Sequence, residues 1–231
     1  MRHTVRLEGQ QARKRALLER RLAGRDPTAL GLPEVVRDAH LMGSLELAGV
    51  ALSWESIRSP APPEEARRLR RALEAVSPER PFGISALLAW HAALEGGDGV
   101  LRSADRSRPL PPPPAPGAFV RSRLEILEQW IAAPSGAELD PSARAALVMA
   151  RIVEILPFDR MNGRVARLAA SHQLARAGLG LPVLVAGDAP RIEASLQAAF
   201  RLDTRPLGEL LREASERGLD VMLQSLAGEP G

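Results

Sequence analysis

The residues whose types and spacing best suit chemistry lie in segment 156–167, which reads Leu-Pro-Phe-Asp-Arg-Met-Asn-Gly-Arg-Val-Ala-Arg. A proline ends one apolar-periodic stretch, and a second stretch begins near Asn162 and Gly163, a pair typical of a tight turn. A helix that begins there has unpaired backbone N–H groups, and Arg164 and Arg167 lie three residues apart on its first turns. Free amides and guanidinium groups bind anions, so the segment predicts a phosphate-binding site.

A second interpretation of the same segment needs no ligand. Phe158 would fill the core, Asn162 and Gly163 would form a helix–loop–helix corner, and the two arginines would face water. The residue types alone leave both interpretations open, because both use the same helix boundaries.

The segment resembles the signature of the Fic/Fido family, His-Pro-Phe-x-Asp/Glu-Gly-Asn-Gly-Arg-x-x-Arg, at six of its nine specified positions. The matching residues are Pro157, Phe158, Asn162, Gly163, Arg164 and Arg167. The stretch Gly99-Val-Leu-Arg102 resembles the family's Gly-x-aromatic-Arg flap entrance, with leucine at the aromatic position. The resemblance covers roughly residues 35–215. It implies a helical domain that transfers AMP, or another phosphate-containing group, from a nucleotide to a hydroxyl side chain of a target protein.

Two departures from the signature affect the chemistry of transfer. Leu156 stands at the position of the family histidine, which takes the proton from the target hydroxyl, so general-base assistance of about 10²–10⁴-fold would be lost. Arg160 stands at the position of the acid that holds the divalent metal, so we expect neither a catalytic residue nor bound Mg²⁺. Alternatively, Arg160 replaces the metal and neutralises phosphate directly, because guanidinium is a good bidentate phosphate partner.

Two neighbouring residues also depart from the signature. Met161 replaces a glycine, so a left-handed backbone there would cost about 1–2 kcal/mol and the side chain would intrude on bound phosphates. Asp159 is a carboxylate one position away from the family acid, which leaves open a rescue as base or metal ligand.

A third motif lies upstream, where Ser44-Leu-Glu-Leu-Ala-Gly49 resembles the inhibitory helix of the family. In the family, Ser or Thr is followed four residues later by Glu and then by Gly or Asn. Ala48 occupies the glutamate position here, so the motif at Ser44, Ala48 and Gly49 is degenerate. An inhibitory carboxylate has no purpose where no active histidine needs restraint. Alternatively, inhibition was lost first in an active relative.

Nine apolar-periodic stretches predict the helices that must position these residues. The ranges are about 5–23, 33–47, 63–77, 83–94, 118–132, 141–155, 163–177, 190–202 and 206–226. With the resemblance, they predict an all-α fold of eight or nine helices in a single Fic/Fido-like domain over residues 1–231. The N-terminal helices would span 1–60, and the core with flap and motif loop about 80–215.

The helical pattern stops between the fourth and fifth of these helices. Residues 99–102 are predicted as a short strand and Pro111–Pro114 as extended backbone, which together indicate a short β-hairpin flap. The family pairs this flap with an extended segment of its target, so a protein partner is predicted at about Gly99–Pro114. The proline run could instead be a ligand for a proline-recognising domain, although a stiff connection better suits a helical chain.

Composition and side-chain spacing exclude several function classes. The chain has 31 basic and 28 acidic residues, with arginines alternating with glutamates as on solvated helix faces, so no nucleic-acid partner is predicted. The absence of cysteine excludes disulfides and thiolate metal sites. His40, His91 and His172 lack metal-ligand spacing and are predicted to pack. Neither a membrane-spanning run nor a signal-peptide pattern occurs, so no membrane contact and a cytoplasmic location are expected.

Three functions remain open from the sequence. The first is a Fic/Fido pseudoenzyme that binds a nucleotide such as ATP, or a protein partner. The residues predicted to bind its phosphates are Asn162, Gly163, Arg164, Arg167 and Arg160. The second is an active protein adenylyltransferase with a non-standard site. The third is a structural or interaction module without a nucleotide site, which Met161 favours. The oligomeric state and the target are not predicted.

Overall fold

The structure, a computed structural model, describes residues 2–107 and 112–228, with side chains from residue 9 onward. The regular structure of the described residues consists of eleven α-helices and two 3₁₀ turns, without a strand. The α-helices are α1 (Arg2–Leu22), α2 (Leu32–Glu46), α3 (Trp54–Arg58), α4 (Glu64–Glu74), α5 (Ile84–Glu95), α6 (Val120–Ala132), α7 (Pro134–Ala137), α8 (Pro141–Ile155), α9 (Asn162–Arg176), α10 (Ala189–Ala199) and α11 (Arg205–Ala227). The 3₁₀ turns are Gly117–Phe119 and Ala186–Asp188. No helix in these ranges combines the length and apolar character needed to cross a membrane.

The predicted all-α fold class is confirmed, and each of the nine predicted helices is present. The prediction of eight or nine missed two one-turn helices, α3 and α7. Ser53 caps α3 by accepting a hydrogen bond from the Ser56 N–H at 3.1 Å, and Pro134 occupies the first turn of α7. Helices this short contain too few residues to show a 3.6-residue period, so the pattern of apolar residues did not reveal them.

Residues 99–102 do not form the predicted strand. The backbone N–H of Arg102 donates to the carbonyl of Pro157 at 3.0 Å, so this stretch is hydrogen-bonded to the loop after α8 rather than to a second strand. At Gly99, a β-carbon would come within 2.0 Å of the Leu88 carbonyl oxygen. The glycine therefore allows close packing against α5, which explains its presence without a strand.

The proline run follows this irregular stretch. Pro111 lies outside the described residues, Pro113 is exposed and Pro114 is buried. The burial of Pro114 fits a stiff connection to α6, while a ligand for a proline-recognising domain stays open at the exposed Pro113.

Helix α9 lies at the centre of the fold. It packs against α8, which in turn packs against α11, and every residue from Arg164 to Leu174 is buried. A surface helix would bury only one apolar stripe. Because α9 is enclosed on all sides, its polar residues lie in the protein interior as well.

Helix α2 lies close to the segment between α9 and α10. At Gly43, a β-carbon would come within 1.6 Å of the Leu184 carbonyl oxygen, so only glycine fits there. One turn earlier, His40 is buried and its Nδ1 lies 2.8 Å from the Pro182 carbonyl oxygen, which requires Nδ1 to be the protonated nitrogen. Burial lowers the pKa of His40 to about 4, so the ring is neutral in the folded protein at neutral pH.

We therefore predict that stability depends on pH through His40. Between pH 6.5 and 4 the unfolded chain protonates this residue and the folded chain does not, so the free energy of unfolding falls as pH falls. The loss attributable to His40 approaches about 3 kcal/mol near pH 4. Urea unfolding of wild type and His40→Asn from pH 7.5 to 4 measures it: the variant should show a shallower dependence, and parallel curves would contradict the prediction.

Candidate functional site

The loop between α8 and α9, residues Leu156–Met161, is called the motif loop below. Asn162, the first residue of α9, closes it with two hydrogen bonds to Phe158. The side-chain Oδ1 accepts from the Phe158 N–H at 2.9 Å, and Nδ2 donates to the Phe158 carbonyl at 2.8 Å. The Phe158 ring is fully buried and stacks on His91 with centroids 4.0 Å apart. The loop is thus held by a polar contact and an apolar contact at the same residue.

Both ends of the motif loop have left-handed backbone. Leu156 has φ 49° and Met161 has φ 63°, a region in which a side chain costs about 1–2 kcal/mol. The expected turn at Asn162 and Gly163 was misplaced, because Met161 makes the left-handed turn and the other two residues begin α9. Met161 therefore keeps the backbone conformation that glycine would adopt without strain.

Arg102 connects the flap region to the motif loop. Its buried guanidinium donates to the carbonyl oxygens of Ile155 at 2.9 Å, Ala104 at 2.7 Å and Ala115 at 2.6 Å, and also to that of Leu156. Burial lowers the pKa of Arg102, yet the cation lies at the C-terminal end of α8, where the helix dipole is negative. Four carbonyl groups accept its hydrogen bonds, and the charges of Asp105 and Asp159 oppose the lowering of its pKa.

Arg164 and Arg167 lie inside the protein at the N-terminal end of α9, only 7% and 8% exposed. The Arg167 Nε donates to the Ser44 hydroxyl at 2.9 Å and its Nη2 to the Ser44 carbonyl at 2.8 Å. The Arg164 Nη1 contacts the Met161 sulfur at 3.3 Å, and its buried Nε has no partner. Within the described ranges, no carboxylate lies within 4 Å of either guanidinium.

The electrostatics of this arginine pair favour an anion. Burial and, to a smaller extent, the charge on Arg164 lower the pKa of Arg167 to about 10. Burial also lowers the pKa of Arg164, whereas Glu65 and Glu95 oppose that shift. Both side chains remain charged at neutral pH. Two buried cations without a carboxylate partner lie at the positive end of a helix dipole, which is where a phosphate group would be stabilised most.

Comparison with known proteins supports the motif. Residues 81–174 match the model of the Fic/DOC family. This part of the chain belongs to the Fic/DOC family. Curated relatives include Protein adenylyltransferase Fic of Drosophila melanogaster, 28% identical over 137 residues, and the protein of that name from Culex quinquefasciatus, 31% identical over 114 residues. These matches cover 59% and 49% of this chain but 27% and 22% of the relatives, so the chain matches about a quarter of their length.

Solved Fic structures resemble nearly the whole chain. A Fic domain containing signaling protein from Bacteroides thetaiotaomicron has a TM-score of 0.81 at 19% identity, over 96% of this chain and 99% of its own. Fic-1 from C. elegans has a TM-score of 0.75 at 21% identity, over 94% of this chain and 71% of its own. At these identities the likeness establishes the fold, which is that of Fic proteins.

Asp159 and Arg160 lie on the outer side of the Fic motif loop. The Arg160 side chain is 74% exposed and pairs with Glu95 at 2.6 Å. Asp159 is 70% exposed, and Arg106 donates to its carbonyl at 2.9 Å while lying 3.7 Å from its carboxylate. Each loop charge thus has an opposite charge from another part of the Fic domain. The predicted residues that the structure brings together are Asn162, Gly163, Arg164, Arg167 and Ser44.

The degenerate inhibitory motif reaches this site through Ser44 alone. Ser44 lies in the last turns of α2, and both of its oxygens accept from Arg167. Ala48 and Gly49 lie in the exposed turn after the helix, where Gly49 has φ 78°. On the opposite side, a β-carbon at Gly163 would approach Nη1 of Arg167 to 3.4 Å. Arg167 is therefore closely surrounded.

The histidines have the packing roles that their separate positions predicted. The Nε2 of His172 lies 3.0 Å from the Arg80 carbonyl oxygen, and its ring contacts Trp90 with centroids 5.6 Å apart. His91 stacks on Phe158, and burial lowers its pKa. No group of three or more His, Asp or Glu among the described residues could hold a metal ion.

Two contributors to the site were not predicted as site residues, namely Arg102 and Glu95. The flap resemblance marked the position of Arg102, and that was its only signal in the sequence. Glu95 is one of 28 acidic residues, and only the folded arrangement places it beside Arg160.

We predict that Arg102→Met lowers the free energy of unfolding by about 3–5 kcal/mol, because four carbonyl groups lose a charged donor in the interior. Arg106→Met is the matched control. It removes a half-exposed arginine that contacts the same motif loop, and it should cost less than about 1 kcal/mol. Urea unfolding of the two variants checks the difference, and similar losses would show that Arg102 has no special role.

Proposed function

We propose that this Fic domain binds the phosphate groups of a nucleotide, with ATP as the first candidate, and does not transfer them. The observation that carries the proposal is the pair of buried guanidinium groups of Arg164 and Arg167 without a carboxylate partner. Burying a cation costs free energy unless an anion or hydrogen bonds compensate. A bound phosphate would supply the missing negative charge, and Asn162 would keep the α9 N-terminus in place beneath it.

The absence of a proton acceptor at the transfer position supports binding without catalysis. Leu156 occupies the place of the family base and has only a hydrocarbon side chain. Asp159, the carboxylate within the motif loop, is largely exposed and lies near Arg106. A rescue by Asp159 would require that carboxylate to move from its place on the outer side of the loop.

The charge at the metal position supports nucleotide binding that does not depend on Mg²⁺. Arg160 stands where the family has an acid, and it pairs with Glu95. A divalent cation brought to this position would meet a guanidinium instead of a carboxylate. Arg160 could contact phosphate directly only after exchanging Glu95 for the nucleotide.

Protein adenylyltransferase activity is the second candidate, because relatives that match this chain are named protein adenylyltransferase. Its requirement is a group that accepts the proton of the target hydroxyl. Asp159 is the residue to test for that role.

We predict that ATP binds to the full chain and that Arg164→Met weakens binding at least tenfold, because a hydrogen bond to a charged group contributes about 1.5–3 kcal/mol. Binding should be unchanged when Mg²⁺ is replaced by EDTA. Isothermal titration calorimetry with ATP, ADP, AMP and GTP measures both effects. The control is Arg201→Met. It removes an exposed arginine in the turn after α10, whose Nε donates to the Gln197 carbonyl, and it should leave binding unchanged.

Two results would contradict this proposal. If none of the four nucleotides binds, the domain is a structural or interaction module. If binding requires Mg²⁺, the metal-independent site is wrong. Loss of binding in Arg164→Met is interpretable only if the variant folds, and we expect it to be at least as stable as wild type because an uncompensated buried charge is removed.

We further predict that incubating the wild-type chain with labelled ATP and a cell lysate yields no labelled protein, because the proton acceptor is missing. The combined variant Leu156→His, Arg160→Asp and Met161→Gly restores the signature and should label target proteins. Labelling by the wild type would overturn the non-catalytic proposal. Loss of that labelling in Asp159→Asn would then identify Asp159 as the base.

A further inference from the structure

The side chain of Met161 lies against the guanidinium group of Arg164. The sulfur lies 3.3 Å from Nη1, while the buried Nε has no partner. Met161 itself is half-buried at the start of α9 and takes a backbone conformation that strains it. The residue with which this chain replaces the signature glycine therefore occupies the space beside Arg164 where an anion would bind.

The present contact is a weak one. A thioether sulfur is a poor hydrogen-bond acceptor and bears no charge, so it compensates little of the charge on the guanidinium. A phosphate oxygen is a much stronger acceptor, and the flexible methionine side chain can move aside for it. In its reduced form, Met161 is therefore a cover that a phosphate can displace.

We propose that Met161 is an oxidation-sensitive lid on the anion site, an inference that rests on the proposed phosphate binding. The oxidant is a peroxide. One oxygen atom passes to the sulfur, the S–O bond forms as the peroxide O–O bond breaks, and the peroxide leaves as water. The sulfur loses two electrons and the peroxide gains them. The product, methionine sulfoxide, carries a polar oxygen on a side chain that already contacts Arg164.

The sulfoxide oxygen is a strong acceptor placed beside a buried guanidinium that lacks one. Oxidation would therefore exchange a weak contact for a charge-assisted hydrogen bond, and a phosphate would have to break that bond before binding. Enzymatic reduction of the sulfoxide would return the lid to its displaceable form.

The position of Met161 favours its oxidation over that of Met149. Met149 is 2% exposed, whereas Met161, like Met42, is half-buried at the edge of the core. Met222 is half-buried on α11, away from the motif loop, and serves as an internal reference for oxidant access. Peptide mass mapping after peroxide treatment should show oxidation at Met161 at least as fast as at Met222. Failure of Met161 to oxidise while Met222 does would overturn the proposal.

The first arm of the test needs no ligand. Thermal unfolding is compared for wild type and Arg164→Leu, each before and after oxidation. Because leucine cannot be oxidised, oxidation elsewhere cancels between the two proteins. We expect oxidation to lower the Tm of Arg164→Leu by about 3 °C more than that of wild type, because only wild type gains the sulfoxide–guanidinium hydrogen bond. An equal change in both proteins, with Met161 shown to be oxidised, would overturn the proposal.

The second arm measures ATP binding to the same samples. Oxidation should weaken binding to wild type about tenfold, and methionine sulfoxide reductases should restore it. Met161→Leu, which keeps the size of the side chain and cannot be oxidised, should bind equally before and after peroxide. If peroxide weakens ATP binding to Met161→Leu by a similar factor, the effect comes from another methionine and the proposed role of Met161 is wrong. Absence of ATP binding to the reduced wild type would refute the proposed function, while the first arm still decides whether the lid contact forms.

Discussion

The geometry of the site depends on the buried guanidinium of Arg102 and the carbonyl groups that surround it. A helix that ends in the interior leaves carbonyl oxygens unpaired, and α8 ends at Ile155 directly beneath the motif loop. Arg102 satisfies the carbonyls of Ile155 and Leu156 and, with the same side chain, those of Ala104 and Ala115. The chain can therefore leave α8 with a left-handed residue and turn back at once into α9. One cation joins three segments that are distant in sequence.

Enclosing α9 creates an electrostatic problem at its first turns. Arg164 and Arg167 are only 7% and 8% exposed, and what they contact is a thioether, a hydroxyl and a carbonyl. Neutral partners compensate a buried cation less well than a carboxylate would. An arrangement that lowers stability in this way is typical of functional sites, where a bound ligand supplies the charge that the chain lacks.

Periodicity predicted the long helices well because each has several turns with repeated apolar positions. The strand expected at residues 99–102 was wrong because a short apolar run does not reveal its partner, and the partner of Arg102 is a loop. Intrinsic preferences argue against left-handed backbone at Leu156 and Met161. It is held by contacts that only the fold provides, from Arg102 at one end of the loop and Asn162 at the other. The contact between Ser44 and Arg167 joins residues 123 positions apart, and nothing in the local sequence indicates it. The motif indicated which residues matter, and the packing determined what they touch.

The contact between α2 and Arg167 also defines how much of the chain forms one functional unit. The family match begins at residue 81, whereas Ser44 supplies both acceptors for the second motif arginine. Gly43 and His40 hold that turn of α2 against the segment that follows α9. A fragment cut at the edges of the conserved match would leave Arg167 inside a hydrophobic core with no acceptor. The boundary of the candidate site therefore lies well outside the boundary of the family match, and α2 is as much part of that site as the signature itself.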